Sequence, residues 1–248
     1  MKNHIDISLV IPTYNEEKNI RKALTAILDF LRSQNYSFEL IVSDDGSNDR
    51  TREIISSFQK DDENIVLNAN PHRGKGSTLI SGFKKARGDI VIFSDADLAT
   101  PISEVDKFLA KFRQGYDVVI GSRGFKRKGA PLLRQILAQG FNILVQLFLL
   151  PGISDTQCGF KAFKKDALAK ILAKMRLYSK AQEVRGSAVT AGFDVEALFI
   201  AKKLRLKIGQ VPVVWHHVGT EGVRPLKDSI AAFLDILKIR LNDWRGIY

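Results

Sequence analysis

Asp95 and Asp97 stand one residue apart at the end of the apolar run Ile90-Val91-Ile92-Phe93. A run of this kind, without alternation, reads as a strand buried on both faces. Ligands of open α/β sheets collect beyond the carboxyl ends of the strands. Two anionic oxygen donors at such an edge suit a hard divalent cation that carries a phosphate ligand. The same two residues also serve commonly as turn or capping groups, so the pair alone decides nothing. Three more loops raise the same question. Thr13, Tyr14, Asn15 and Glu16 follow a strand-like run, Asp44-Asp45-Gly46-Ser47 follows another, and His72-Arg73-Gly74-Lys75-Gly76-Ser77 precedes a helical pattern. A basic, glycine-flanked turn at a helix N-terminus receives phosphate through backbone N–H groups, or it simply opens the helix. It matches neither standard nucleotide fingerprint: Ala69 stands where a P-loop needs its first glycine, and Leu79 where a dinucleotide turn needs its third.

The elements that must position these loops follow from periodicity. Strands are expected at 6–12, 38–42, 65–67, 90–93 and 117–123, and helices at 18–33, 51–59, 78–86 and 102–114. Alternation of this kind predicts an α/β fold with a mostly parallel sheet and helices on both faces. No linker divides the first 125 residues, and the 248 residues are read as a single domain. Later come helices at 166–175, 193–204 and 225–242, and a strand at 207–214. Pro212 places that strand at an edge or a bulge.

Charge narrows the partners. The chain carries 38 Lys and Arg against 27 Asp and Glu, a net charge of +11. That surplus calls for an anionic partner. No nucleic-acid module signature is present, which puts phosphates and a membrane surface ahead of nucleic acid. From Val118 to Ser154 there is no acidic residue, while Arg123, Lys126, Arg127, Lys128 and Arg134 all fall inside. The stretch 132–150 is largely apolar, with Gln135, Gln139, Asn142 and Gln146 spaced four, three and four apart on one helical stripe. Such a helix is either buried in protein or lies in a membrane interface, with the basic cluster gripping lipid phosphates. The interruptions argue against a transmembrane span. Cys158, the one cysteine, excludes an internal disulfide, suggests a reducing compartment and is read as a packing residue. No secretory pattern opens the chain, so a cytoplasmic protein at a membrane face is expected. His216 and His217 point in opposite directions on an extended chain, so no shared metal is expected there.

The four loops taken in order, Pro12-Thr13-Tyr14-Asn15-Glu16, Asp44-Asp45-Gly46-Ser47, Arg73-Gly74-Lys75-Gly76 and Asp95-Ala96-Asp97, resemble the GT-A (Rossmann-like) glycosyltransferases of family 2. Gly121-Ser122-Arg123 and Asp155-Thr156-Gln157-Cys158-Gly159-Phe160-Lys161 are similar to the polyprenyl-phosphate branch, and closest in form to its dolichyl-phosphate glucosyl members.

The resemblance implies a metal-dependent enzyme that transfers glucose from UDP-glucose to a polyprenyl phosphate with inversion, giving a β-linked product. Mannose from GDP-mannose, or extension of a polysaccharide, is the alternative within the family. A non-catalytic nucleotide-sugar binding protein is the alternative outside it. The resemblance assigns Asp45 to the nucleotide base, with Pro12, Tyr14 and Glu16 lining the same pocket. It assigns Asp95 and Asp97 to Mg²⁺ or Mn²⁺ on the diphosphate, with Gly74 and Lys75 beside it. Arg123 and Arg134 would receive the lipid phosphate, and Asp155 would orient the acceptor or touch the metal. Residues 1–125 then form the nucleotide-sugar half and 126–248 the acceptor and membrane-facing half. Ala99 stands where mannosyl members often place a glutamine, which favours glucose. An acceptor phosphate is already ionised at neutral pH, which fits the lack of an obvious catalytic histidine.

Overall fold

A computed structural model describes residues 4–124, 132–178, 191–218 and 225–248. Among them, seven strands form one sheet in the order β3-β2-β1-β4-β6-β5-β7. The strands are β1 (Ile7–Thr13), β2 (Phe38–Asp44), β3 (Ile65–Ala69), β4 (Ile90–Ser94), β5 (Val118–Ser122), β6 (Phe160–Lys164) and β7 (Ile208–Pro212). All neighbouring pairs are parallel except the two made by β6, which runs antiparallel to β4 and β5. The mostly parallel α/β fold is therefore as expected, and β7 lies at the edge, where Pro212 needs no partner for a missing N–H.

Period-two alternation sends the two faces of the sheet into two cores. Ile7, Leu9 and Ile11 of β1 join a cluster with α1 (Ile20–Arg32), α2 (Thr51–Asp61) and α4 (Val105–Arg113). Val10 joins the opposite cluster, built with α3 (Lys75–Lys85), α5 (Leu132–Phe148), α6 (Lys165–Lys174), α7 (Ala191–Lys203) and α8 (Pro225–Trp244). In α1, Ile20, Ala23, Leu24, Ile27, Leu28 and Leu31 are the buried stripe, matching the 3.6-residue period.

Among the boundaries that differ from the sequence expectation, two have a clear local reason. The third helix begins at Lys75 rather than residue 78, because Gly74 turns the chain at φ 84° and its carbonyl accepts the Thr78 N–H at 3.1 Å. The expected helix 102–114 opens as a 3₁₀ turn, Ile102–Glu104, before α4.

The reversed strand is what assembles the site. Parallel strands deliver the segments that follow them to one edge of the sheet. Because β6 runs backwards, with Ser94 of β4 opposite Phe160, it delivers the segment that precedes it to that same edge. The loop 154–159 thus meets the loops that leave β4 and β5, at the edge where the loops leaving β1 and β2 also emerge. The two halves of the chain share one sheet.

Candidate active site

Asp95 and Asp97 emerge from the end of β4. The Asp95 N–H donates to the Gly159 carbonyl at 3.2 Å, and the Asp95 carboxylate lies directly over the Gly159 Cα. A Cβ at position 159 would collide with Asp95 Oδ2. Lys75, at the first turn of α3, donates from Nζ to Asp95 Oδ1. Burial would lower the Lys75 pKa, but the nearby carboxylates of Asp95 and Asp194 outweigh it and hold it above the usual lysine value. Asp97 Oδ1 accepts the Ala99 N–H at 3.0 Å across Leu98, which sits at φ 49°. A left-handed leucine is costly, and here it folds the chain so that Asp97 faces the same cavity as Asp95. That cavity, about 90 Å³, is also lined by Arg123 and Trp215. The Ala99 carbonyl accepts the His216 N–H at 2.8 Å, which draws the Trp215 segment over it.

The donor set fits a hard divalent cation, since it is all oxygen and anionic. Among the described residues no group of three or more His, Cys, Asp or Glu converges on one point. Two carboxylates leave the remaining coordination positions to ligand and solvent oxygens, as a Mg²⁺ or Mn²⁺ carried by a diphosphate requires. The space above Gly159, kept open for the Asp95 carboxylate, is the structural feature that supports this fit.

Arg123 follows β5 and is almost enclosed. Its backbone N–H and Nε donate to Asp155 Oδ2 at 3.0 and 2.8 Å, and its Nη2 donates to Oδ1 at 2.8 Å. The Gln157 N–H closes on Asp155 Oδ1 at 3.2 Å. Asp155, which is 3% exposed, therefore spends its carboxylate on holding Arg123. Burial would lower the Arg123 pKa and the Asp155 carboxylate more than restores it, so the guanidinium stays charged. The Gly-Ser-Arg and Asp-Thr-Gln-Cys-Gly segments interlock a second time, since a Cβ on Gly121 would meet Cys158 Sγ at 2.8 Å. Cys158 is fully buried and burial pushes its thiol pKa up, consistent with a packing residue. Beyond the ion pair, a second cavity of about 130 Å³ lies between Ser122, Ser154 and Asp155 and the amide stripe of Gln135, Gln139, Asn142 and Gln146 on α5. The polar stripe thus lines this cavity, with Gln139 exposed at its mouth, and Asn142 Oδ1 is buried there without a hydrogen-bond partner.

At the far side of the edge, Asp44 and Asp45 have separate tasks. Asp44 gathers its own loop, accepting from the Gly46 and Ser47 N–H groups, Ser47 Oγ and Arg52 Nε. Asp45 reaches across to the glycine loop. Its Oδ1 accepts from the Arg73 N–H at 2.9 Å and Thr78 Oγ1 at 2.6 Å, and its Oδ2 from the Gly74 N–H at 2.9 Å and His72 Nδ1 at 2.8 Å. The sequence places Asp45 on an open loop. The structure places it 4% exposed, as the anchor of residues 72–78. Tyr14 stacks flat on the His72 ring, with centroids 4.2 Å apart and planes 8° from parallel. The Glu16 N–H is held by Thr51 Oγ1 at 2.8 Å, and Glu16 Oε2 accepts from Asn19 Nδ2 at 3.1 Å. Pro12 is half-buried within β1.

Pro12, Tyr14, Glu16, Asp45, Gly74, Lys75, Asp95, Asp97, Arg123 and Asp155 thus share one edge of the sheet. The backbone of Arg134 lies in α5, and its side chain falls outside the described residues, as do Lys126, Arg127 and Lys128. Sequence reasoning passed over three groups. Lys161 is 1% exposed, pairs with Asp194 at 2.8 Å and lies over the Phe93 ring at 5.2 Å. Asp194, on the first turn of α7, sits near Lys75 as well. His72 is the third. A lysine inside an otherwise apolar strand was the available signal for the first pair.

These loops on this sheet match a known pattern along most of the chain. The model of "Glycosyl transferase family 2" matches residues 8–172. The chain belongs to glycosyltransferase family 2. Among curated family members, it is 32% identical to "Dolichyl-phosphate beta-glucosyltransferase" of Dictyostelium discoideum, over 100% of this chain and 78% of that one. It is 30% identical to the human protein of the same name, over 98% of this chain and 77% of that one. Among solved structures, glucosyl-3-phosphoglycerate synthase from Mycobacterium tuberculosis, in complex with Mn²⁺, UDP and glucosyl-3-phosphoglycerate, superposes with a TM-score of 0.66 at 22% identity, covering 95% of this chain and 80% of that one. Mannosyl-3-phosphoglycerate synthase from Rubrobacter xylanophilus does so with a TM-score of 0.70 at 16% identity, covering 98% and 76%. At those identities the likeness establishes the fold, which is that of the GT-A glycosyltransferases.

Proposed function

We propose that this family 2 enzyme transfers glucose from UDP-glucose to a polyprenyl phosphate of the dolichyl type, at a membrane surface, with inversion at the anomeric carbon. The observation that carries the reading is the position of Arg123. It lines the cavity of Asp95 and Asp97, while its partner Asp155 lines the cavity of the α5 amide stripe. A guanidinium held on one edge by Asp155 keeps its other N–H groups for a phosphate placed between the two cavities. The names of the curated relatives supply the sugar and the lipid.

In this account Asp95 and Asp97 would hold Mg²⁺ or Mn²⁺, which would supply positive charge to stabilise the departing diphosphate. Lys75 adds a second positive charge at the same oxygens. Arg123, with Arg134 assigned beside it on sequence grounds, orients the acceptor phosphate. One of the acceptor's oxygens attacks the anomeric carbon in line, and the bond from that carbon to the UDP oxygen breaks. The electron pair leaves with UDP. No side chain has to remove a proton, because the acceptor is already an anion. Trp215 over the cavity limits water, the competing acceptor.

The membrane part rests on α5 and α8, which pack together. Beside the cavity that the α5 amides line, α5 exposes Ile136, Ile143, Leu147 and Phe148, Ile143 also lining that cavity, and α8 exposes Ile230, Phe233, Leu234, Leu237, Leu241 and Trp244. No described helix is long and apolar enough to cross a membrane. Outward apolar side chains beside a basic, acid-free stretch fit a surface-bound arrangement. The test is release of UDP from UDP-glucose with and without a short polyprenyl phosphate. Release that depends on the lipid phosphate, and not on the matching polyprenyl alcohol, supports the reading. Release that is the same with either refutes the phosphate acceptor.

A further inference from the structure

The His72 imidazole does what a pyrimidine base would do at this edge. It is a flat heteroaromatic ring lying parallel to Tyr14 at 4.2 Å. Its Nδ1 lies 2.8 Å from Asp45 Oδ2 and 3.0 Å from the Asp45 carbonyl oxygen. Both neighbours are acceptors, so Nδ1 carries the hydrogen. An aromatic face together with a carboxylate that receives a ring N–H is the chemistry that recognises uracil, whose N3–H is its one ring donor apart from the sugar-bearing nitrogen.

The other bonds of Asp45 show which partner is exchangeable. Arg73 and Gly74 bind it through backbone N–H groups and Thr78 through a hydroxyl at the start of α3. Those three are fixed by the loop and helix. Of the two side chains that donate to Asp45, Thr78 is enclosed at 1% exposure, and the longer His72 side chain is the one with room to rotate. Its backbone packs closely on Gly46, where a Cβ would come within 2.8 Å of the His72 nitrogen. Opening therefore requires the ring to swing while the loop stays in place. The ring is still partly open to solvent, with 20% of the side chain exposed.

We propose that His72 is a built-in occupant of the nucleotide-base subsite, which the base displaces to stack on Tyr14 and donate to Asp45. His72 thereby sets the affinity for the nucleotide. The proposal rests on the reading of this edge as a nucleoside-diphosphate site. Binding to a fractionally available site is weakened by that fraction, so removing the occupant tightens it.

The experiment is calorimetric titration of wild type and His72→Ala with UDP and with CDP, in the presence of Mn²⁺. Cytosine has no hydrogen on N3 and serves as the control. The expected result is a UDP dissociation constant lower by about fivefold or more in His72→Ala, with no equal gain for CDP. An unchanged or weaker UDP affinity would overturn the proposal, as would a gain shared equally by CDP, which reports only a looser loop. In wild type, the His72 ring-proton resonances, assigned with His72→Gln, should start upfield from stacking on Tyr14 and move to unstacked positions as UDP saturates. Resonances that stay upfield make His72 a wall of the subsite and overturn the exchange. If neither protein binds UDP, the nucleotide-sugar reading itself fails. If wild type binds UDP and the variant gains nothing, only the exchange fails.

Discussion

Gly159 lies so close beneath Asp95 that no side chain can stand between them. The glycine belongs to the segment entering the reversed strand β6, and the aspartate to the segment leaving β4. Position 159 is thus set by the carboxylate it must accommodate. Gly159→Ala should leave the thermal midpoint close to wild type, because Asp95 can swing outward into the cavity. Turnover should fall by at least about two decades, the scale of losing a placed electrostatic group. Transfer assays and a thermal melt together check it.

Asp97→Ala should lower turnover by at least about two decades as well. Activity should vanish in EDTA and return with excess Mg²⁺ or Mn²⁺. Full activity of the chelated protein would remove the metal from the account.

Asp45→Ala should cost stability as well as nucleotide affinity. It strands the Arg73 and Gly74 N–H groups and the Thr78 hydroxyl, and a buried unmatched donor costs about 1–3 kcal/mol. Chemical denaturation should register a loss of at least about 2 kcal/mol. A stable protein with weakened UDP binding alone would contradict the anchoring role.

How much of this was legible beforehand differs from residue to residue. The strand-end loops announced themselves, because an apolar run that stops at carboxylates or glycines has only one edge on which to place them. The direction of β6 did not. Phe160-Lys161-Ala162-Phe163 reads the same whichever way it runs, so the meeting of Gly159 with Asp95, and of Asp155 with Arg123, was hidden. The amide stripe of α5 was visible as a stripe, but only its neighbours Ser122 and Asp155 say that it lines a cavity beside Arg123. Asp45 looked like a loop residue because the four donors that bury it come from 27 to 33 positions further on.

Acid and base should act on different parts of the fold. Asp117 accepts the Lys207 N–H and the Lys164 ammonium, and these bonds hold its carboxyl below the usual 3.8. Its contribution is present above that value and is lost as pH falls through the lower native one. Glu196 behaves oppositely. Burial raises it above 4.5, against the Arg176 and Leu177 N–H groups and the Tyr248 hydroxyl. Its contribution is full below 4.5 and is lost as pH rises through the raised value. Asp117→Asn should therefore flatten the acid limb of stability against pH, and Glu196→Gln the limb above it. Denaturation midpoints taken across pH 3 to 8 (roughly the span in which carboxyls titrate) would expose the wrong sign in either case.

Leu147 and Trp244 are 74% and 76% exposed on α5 and α8. Replacing both with Ser should weaken co-sedimentation with anionic vesicles by at least about two decades, given about 1.5–3 kcal/mol for each fully buried large apolar side chain. Added salt should reduce wild-type binding without abolishing it, since only the basic part is screened. UDP affinity should not move. Binding that salt removes entirely would leave the apolar faces without a role at the membrane.

The most direct measurement is transfer of labelled sugar into lipid, with UDP-glucose and GDP-mannose offered in parallel to a short polyprenyl phosphate and Mn²⁺. A β-linked glucosyl phosphate lipid from UDP-glucose is expected, with a far smaller yield from GDP-mannose and loss of product in Arg123→Ala. Equal or greater use of GDP-mannose would contradict the assigned donor. Transfer that ignores the lipid phosphate, or survives Arg123→Ala undiminished, would contradict the site itself.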